Sequence, residues 1–131
     1  MALTLEKIKE TSINITDMAK TKNFYHQLLG FDIIMENERL IFFKVGTDLL
    51  LCFDTEKTKN QISPPPHAAM GIQHFAFECK ANEYEDWKLY LIKNNIDIED
   101  EITWKSGKKS FYFRDPDGHS VEIIEPMMWG F

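Results

Sequence analysis

The chain has 131 residues and a net charge of −6, a length suited to one domain able to bury roughly two-thirds of the surface an unfolded chain exposes. That acidic balance argues against a phosphate-backbone partner, since Lys and Arg gather into no stripe beyond the short Lys105, Lys108, Lys109 cluster, so no nucleic acid is expected. No apolar run approaches the ~20 residues of a spanning helix, Met1 to Lys20 lacks a signal-peptide core, and Cys52 and Cys79 stand singly in apolar runs as reduced thiols; a cytoplasmic protein without membrane contact is expected.

In chain order, the stretch from Glu10 to Thr16 alternates, with Ile13 and Ile15 on one face and Glu10, Ser12 and Asn14 on the other, as a half-buried strand does. Asp17 then reads as an N-cap or turn residue. Phe24, Tyr25, Leu28 and Leu29 recur at helical spacing, and Gly30 stands where a glycine ends a helix. Three runs, Phe31 to Glu36, Leu40 to Val45 and Leu49 to Phe53, read as strands of an antiparallel meander joined by short turns. The polar stretch from Asp54 to Met70 carries Pro64-Pro65-Pro66, which cannot donate ladder hydrogen bonds, and reads as a linker.

The second half begins with an alternating strand from Gly71 to Cys79, followed by a helix from Asn82 to Asn94 with Trp87, Tyr90 and Leu91 on its buried side. Ile96 to Ile98, Ser110 to Phe113 and Ser120 to Ile124 read as strands, the last two joined by the turn Asp115-Pro116-Asp117-Gly118. The order strand, helix, strand, strand, strand thus occurs twice, offset by about 64 residues. The expectation is an α+β domain of two βαβββ modules, about 5–55 and about 71–126 with a linker at about 56–70. Its mostly antiparallel sheet would curve into a cup with the helices on the outer face.

The run SFYFRDPDGHSVEIIEP, Ser110 to Pro126, resembles the C-terminal signature of the vicinal-oxygen-chelate superfamily, which holds glyoxalases, ring-cleaving dioxygenases and bleomycin- and fosfomycin-resistance proteins. GIQHFAFE resembles the start of that family's second module, and ITDMAKTKNFYHQLLGF a segment of its first, so the resemblance covers nearly the whole chain. It implies metal ligands at Glu122, after the DPDG turn, and at His74. Strand parity puts both on the face away from the helices, and places Glu10, Ser12 and Asn14 in the cup with Leu50 and Cys52, so that positions 10, 52, 74 and 122 converge.

The implied chemistry is chelation of two neighbouring substrate oxygens on a divalent ion (Mn, Ni, Zn or Fe) held by His74, Glu122 and Glu10. Glu122 and Glu10 are also the candidate catalytic carboxylates; Ser12, Cys52, Lys105 and Tyr112 are candidate substrate contacts. Two positions depart from the family's pattern. Glu10 stands where the first-strand ligand is usually histidine or glutamine, and reads as a ligand or as a solvated charge at a strand start; Cys52 stands where glyoxalase I has a glutamate, and reads as a buried thiol or a site residue. His26, His67 and His119 fall outside the ligand positions.

The resemblance implies a small metal-dependent enzyme, a lyase/isomerase or related transferase, acting on a small molecule with adjacent oxygens. WKSGKKSFYFRDPDGHSVE is similar to the fosfomycin-modifying enzymes, which use a metal to polarise an epoxide for attack by a thiol or water. The alternative is a metal-free protein of the bleomycin-resistance type that sequesters a ligand; Phe, Tyr and Trp are 13% of the chain, enough to line a groove. A homodimer is expected, with the apolar tail Met127 to Phe131 packed at the subunit contact or the cup mouth.

Overall fold

The computed structural model describes residues 3–60 and 70–131, and the chain divides into two units, Met1–Gly71 and Ile72–Phe131. The triproline run and His67 lie outside the described residues. In the first unit, β1 (Glu10–Ile15) leads into α1 (Met18–Lys22), which continues as a π-helical turn over Asn23–Leu28; β2 (Asp32–Glu36), β3 (Leu40–Val45), β4 (Asp48–Asp54) and the short α2 (Thr55–Thr58) follow. In the second, β5 (His74–Glu78) leads into α3 (Tyr84–Lys93), then β6 (Asp100–Thr103), β7 (Lys109–Arg114) and β8 (Ser120–Ile124). The βαβββ module therefore occurs twice in an α+β chain.

Each module folds into a four-stranded sheet with the same strand order, β1-β4-β3-β2 and β5-β8-β7-β6. The meander read from the short turns accounts for the antiparallel pairs β2–β3–β4 and β6–β7–β8. The first strand of each module instead pairs in parallel with the last. A parallel pair requires a crossover connection, and the helix with the two intervening strands supplies it.

Local chemistry sets the element ends. Asp17 caps α1 by accepting the Lys20 N–H, and Asp54 caps α2 by accepting from the Lys57 N–H, which places a helical turn inside the stretch read as a linker. The π-helical turn closes where the Leu29 N–H reaches back five residues to the Phe24 carbonyl, and Gly30, at φ +81°, ends it. Ile96–Ile98 is not a strand. Asn95, at φ +64°, turns the chain so that the Ile96 N–H closes onto the Leu91 carbonyl, and the ladder to β7 begins only at the Glu99 N–H, which donates to the Tyr112 carbonyl.

In the first sheet Ile13, Ile15, Ile41, Phe43, Leu50 and Cys52 are all buried, with Tyr25 lying 5.6 Å from the Phe43 ring. In the second, Phe111, Phe113, Val121 and Ile123 form the buried face, and Tyr84 of α3 meets Phe111 edge-on at 5.3 Å. Each such side chain contributes about 1.5–3 kcal/mol on leaving water. The buried residues of α3 are Tyr84 and Leu91, two turns apart, whereas Tyr90 is exposed and Trp87 half-buried. The Tyr84 hydroxyl and the Lys88 ammonium both donate to Glu101 Oε2, at 2.8 and 2.7 Å, tying α3 to β6. No helix among the described residues is long and apolar enough to cross a membrane.

Candidate functional site

Opposite the buried face of the second sheet, the register aligns His74 with Ser120, Ala76 with Glu122, and Tyr112 with both Glu122 and Asp100. Side chains of paired residues share a face, so His74, Ser110, Tyr112, Ser120 and Glu122 stand together while Phe111, Phe113, Val121 and Ile123 fill the core behind them. The parity expected for His74 and Glu122 is the parity observed.

These two meet directly. His74 Nε2 lies 3.2 Å from Glu122 Oε1, with the histidine side chain 52% exposed and the glutamate only 8%. His74 Nδ1 lies 3.0 Å from the Ser120 carbonyl. A carbonyl only accepts, so Nδ1 carries the proton that is donated there, and in the neutral ring the lone pair of Nε2 is left aimed at the carboxylate. Two electron-rich atoms in contact need a proton or a cation between them. Their separation falls within the roughly 3.0–3.4 Å of two donors bound at about 2.1 Å on adjacent positions of one ion. The pair thus fits a divalent metal as one nitrogen and one oxygen donor, with the second imidazole nitrogen already oriented by the main chain.

A hydrogen bond from the end of β6 supports this face at β7. Trp104 Nε1–H donates to Ser110 Oγ at 2.9 Å, and Ser110 is fully buried. Tyr112, in register with Glu122, stands with its ring 5.9 Å from that of His74. Partial burial pushes the Tyr112 phenol above its ordinary range; the nearby Ser110 hydroxyl opposes the rise and the Glu122 carboxylate adds to it. Tyr112 therefore stands beside the pair as a neutral hydroxyl donor. The Trp104 ring also lies 6.0 Å from that of Trp129. In the tail, Met128 is buried while Trp129 and Phe131 remain exposed.

The remaining candidates are placed as follows. Glu10 is the first residue of β1 and is exposed, in register with Leu49; Ser12 is exposed in register with Leu51. Cys52 corrects the expected parity. It pairs with Ile13 and Ile41 and is fully buried among them, on the opposite face of the sheet from Ser12, and Leu50 shares its position in the core. The residues level with Ser12 are Leu51 and Phe42. Lys105 is exposed in the turn between β6 and β7, whose Trp104 N–H donates to the Lys108 carbonyl. Among the described residues no group of three or more His, Cys, Asp or Glu side chains forms a metal cage. His26 caps its own turn, with Nδ1 2.7 Å from the Phe31 carbonyl.

Ser110 and Trp104 are site-supporting residues that sequence reasoning did not single out. The parity of KSFYFR held a signal for the first, since Ser110 and Tyr112 alternate with Phe111 and Phe113. Nothing local signalled Trp104, whose role depends on the β6–β7 turn folding back.

Residues 7–123 match the profile of the Glyoxalase/Bleomycin resistance protein/Dioxygenase superfamily. The chain is 32% identical over 120 residues to a metallothiol transferase FosB of Staphylococcus saprophyticus, across 91% of this chain and 76% of that protein. It is 27% identical over 122 residues to a glutathione transferase FosA of Serratia marcescens, across 91% and 80%. Among solved structures, the crystal structure of lactoylglutathione lyase from Agrobacterium tumefaciens superposes with a TM-score of 0.91 at 32% identity, covering 97% of this chain and 98% of that one.

Proposed function

From the premise that the chain belongs to the Glyoxalase/Bleomycin resistance protein/Dioxygenase superfamily, we propose that it is a divalent-metal-dependent transferase that adds a thiol to a small, oxygen-rich electrophile. The observation that carries this reading is the His74–Glu122 contact at 3.2 Å, with Nδ1 of the histidine committed to the Ser120 carbonyl. The likeness to a metallothiol transferase and a glutathione transferase supports the choice of reaction within the family.

In this reading His74 and Glu122 hold the metal, and Glu10 is the third ligand that the sequence resemblance implies. A divalent ion held there supplies Lewis-acid polarisation of adjacent substrate oxygens. The chain's own groups do the rest. Tyr112, beside Glu122 and His74, presents a hydroxyl that donates to a substrate oxygen as negative charge develops on it. Ser12 and Lys105 are further proposed contacts, the lysine suited to an anionic substrate group. With a strained cyclic ether as substrate, the sulfur–carbon bond forms as the carbon–oxygen bond breaks, and the thiol proton ends on the released oxygen. We place the protein in the cytoplasm as a homodimer, a state that sedimentation reads directly.

The test is calorimetric binding of Mn²⁺, Ni²⁺ and Zn²⁺ to chelator-stripped protein, with His74→Ala and Glu122→Ala as controls, followed by thiol consumption with low-molecular-weight epoxides. Micromolar or tighter binding that both substitutions abolish, together with metal-dependent thiol loss, is the expected result. Binding indifferent to both substitutions, or none, overturns the reading and leaves the metal-free ligand-sequestering protein in its place.

A further inference from the structure

We propose that His119 is a positioning residue that sets the approach of His74 to Glu122, acting through the main chain of β5 without touching the pair. His119 is only 2% exposed and immediately precedes Ser120, as Gln73 immediately precedes His74. Its Nδ1 accepts the Gln73 N–H at 3.0 Å. The Ser120 N–H donates to the Gln73 carbonyl at 2.9 Å, and His74 Nδ1 donates to the Ser120 carbonyl at 3.0 Å. These three bonds join the starts of β5 and β8 on both sides of the parallel ladder, fixing the His74–Ser120 register from which the contact with Glu122 follows.

The main chain that carries the imidazole is anchored by the Asp115 turn. The His119 N–H donates to Asp115 Oδ1 at 2.9 Å, the Asp115 N–H returns to the His119 carbonyl at 3.2 Å, and the Asp117 N–H donates to the same carboxylate oxygen at 3.0 Å. Because a main-chain N–H faces Nδ1, that nitrogen is an acceptor and the ring takes its Nε2–H tautomer.

The first module shows that the fold does not need this clamp. There the Leu49 N–H donates to the Lys9 carbonyl at 3.0 Å, the counterpart of the Ser120–Gln73 bond. The residue at the position of His119 is Asp48, whose half-exposed carboxylate pairs with Lys7 at 2.9 Å. Among the described residues, a buried imidazole locking the ladder occurs only in the module that carries the His74–Glu122 pair, which is why we assign it to the pair and not to the sheet.

This inference rests on the reading of His74 and Glu122 as a metal-holding pair, and its test separates the two. Calorimetry with Mn²⁺ is run on wild type, His119→Ala, His119→Asn and His119→Gln, each checked for a folded circular-dichroism spectrum. Asparagine places its side-chain oxygen near the position of Nδ1, so it retains the acceptor; glutamine carries it one bond further out. Alanine and glutamine are expected to weaken binding about 10- to 100-fold, the usual effect of losing an orienting partner, and asparagine to stay within about threefold of wild type. Binding by the alanine variant as tight as wild type overturns the inference, as does equal loss in asparagine and glutamine, the comparison that decides if alanine does not fold. If wild type binds no Mn²⁺, the metal reading falls, and the ring nitrogen resonances of His74 in metal-free protein decide the rest. A shift of His74 away from its Nδ1–H tautomer in His119→Gln but not in His119→Asn supports the clamp; an unchanged tautomer in both overturns it.

Discussion

Aligned through their common register, the two sheets place Glu10 where the second has His74, Leu49 where it has Ser120, Leu51 for Glu122, Phe42 for Tyr112 and Leu40 for Ser110. On the other face the correspondence is apolar throughout: Ile41 with Phe111, Phe43 with Phe113, Leu50 with Val121 and Cys52 with Ile123, every one of them buried. The core face answers to the requirement, common to both modules, of burying apolar surface under a helix. The opposite face is under no such requirement, so the positions of Ser110, Tyr112, Ser120 and Glu122 in one copy hold leucine and phenylalanine in the other, beside the polar Glu10 and Ser12 of β1. Duplication kept the scaffold and let the opposite face diverge.

Exchanging residues between these equivalent positions tests that comparison, and the largest effect is expected in the apolar copy. Leu51 is buried, 6% exposed, and the first module offers no histidine at the matching place. Leu51→Glu is expected to cost about 3–5 kcal/mol, as an unpaired buried carboxylate does, measured by urea unfolding. A loss below about 1 kcal/mol would show that this face tolerates charge in both modules and would break the asymmetry.

The reverse exchange, Glu122→Leu, removes a buried carboxylate and leaves behind a histidine exposed enough to be solvated. Stability is expected to change by no more than about 1 kcal/mol in either direction, while Mn²⁺ affinity falls at least about 100-fold. Severe unfolding with no change in metal affinity would make the pair a structural ion pair.

A smaller effect separates the helix side from the site. The Lys88 ammonium, and after it the Tyr84 hydroxyl, hold Glu101 below the usual carboxylate range. A carboxylate lowered on folding contributes stability that is present above its unfolded value, about 4.3, and is lost as pH falls through its lower folded value. Glu101→Gln is expected to flatten that part of the acid limb, to cost under about 1 kcal/mol at neutral pH because the pair is partly solvated, and to leave metal binding unchanged. Thermal melts between about pH 3 and 7 read the first two, calorimetry the third.

Much of this organisation was legible in the residues. Ile13 and Ile15 alternate against Ser12 and Asn14, and His74 and Glu122 against Phe75, Val121 and Ile123, so the faces of β1, β5 and β8 followed from strand alternation alone. The strand β4, Asp48–Asp54, reads DLLLCFD, apolar on both faces, and offers no parity. Only its pairing with Ile13 and Ile41 shows that Cys52 belongs to the core. The strand β6 was misplaced for a related reason: Ile96 and Ile98 imitate alternation, whereas the acidic run Asp100-Glu101 that forms the edge does not look like a strand.

What the sequence by itself determined was therefore local: the repeat, the capped start of the first helix, the glycine that ends it, and the sides of the strands that alternate. Each depends on stereochemistry within a few residues. The tertiary structure decided the long-range pairings, β1 with β4 and β5 with β8, between strands about 40 or more residues apart. From those pairings come the burial of Cys52, the clamp of His119 on Gln73, and the meeting of His74 with Glu122. None of these contacts is encoded within any one segment, because the side chains become neighbours only when the closing strand of each module returns to its first.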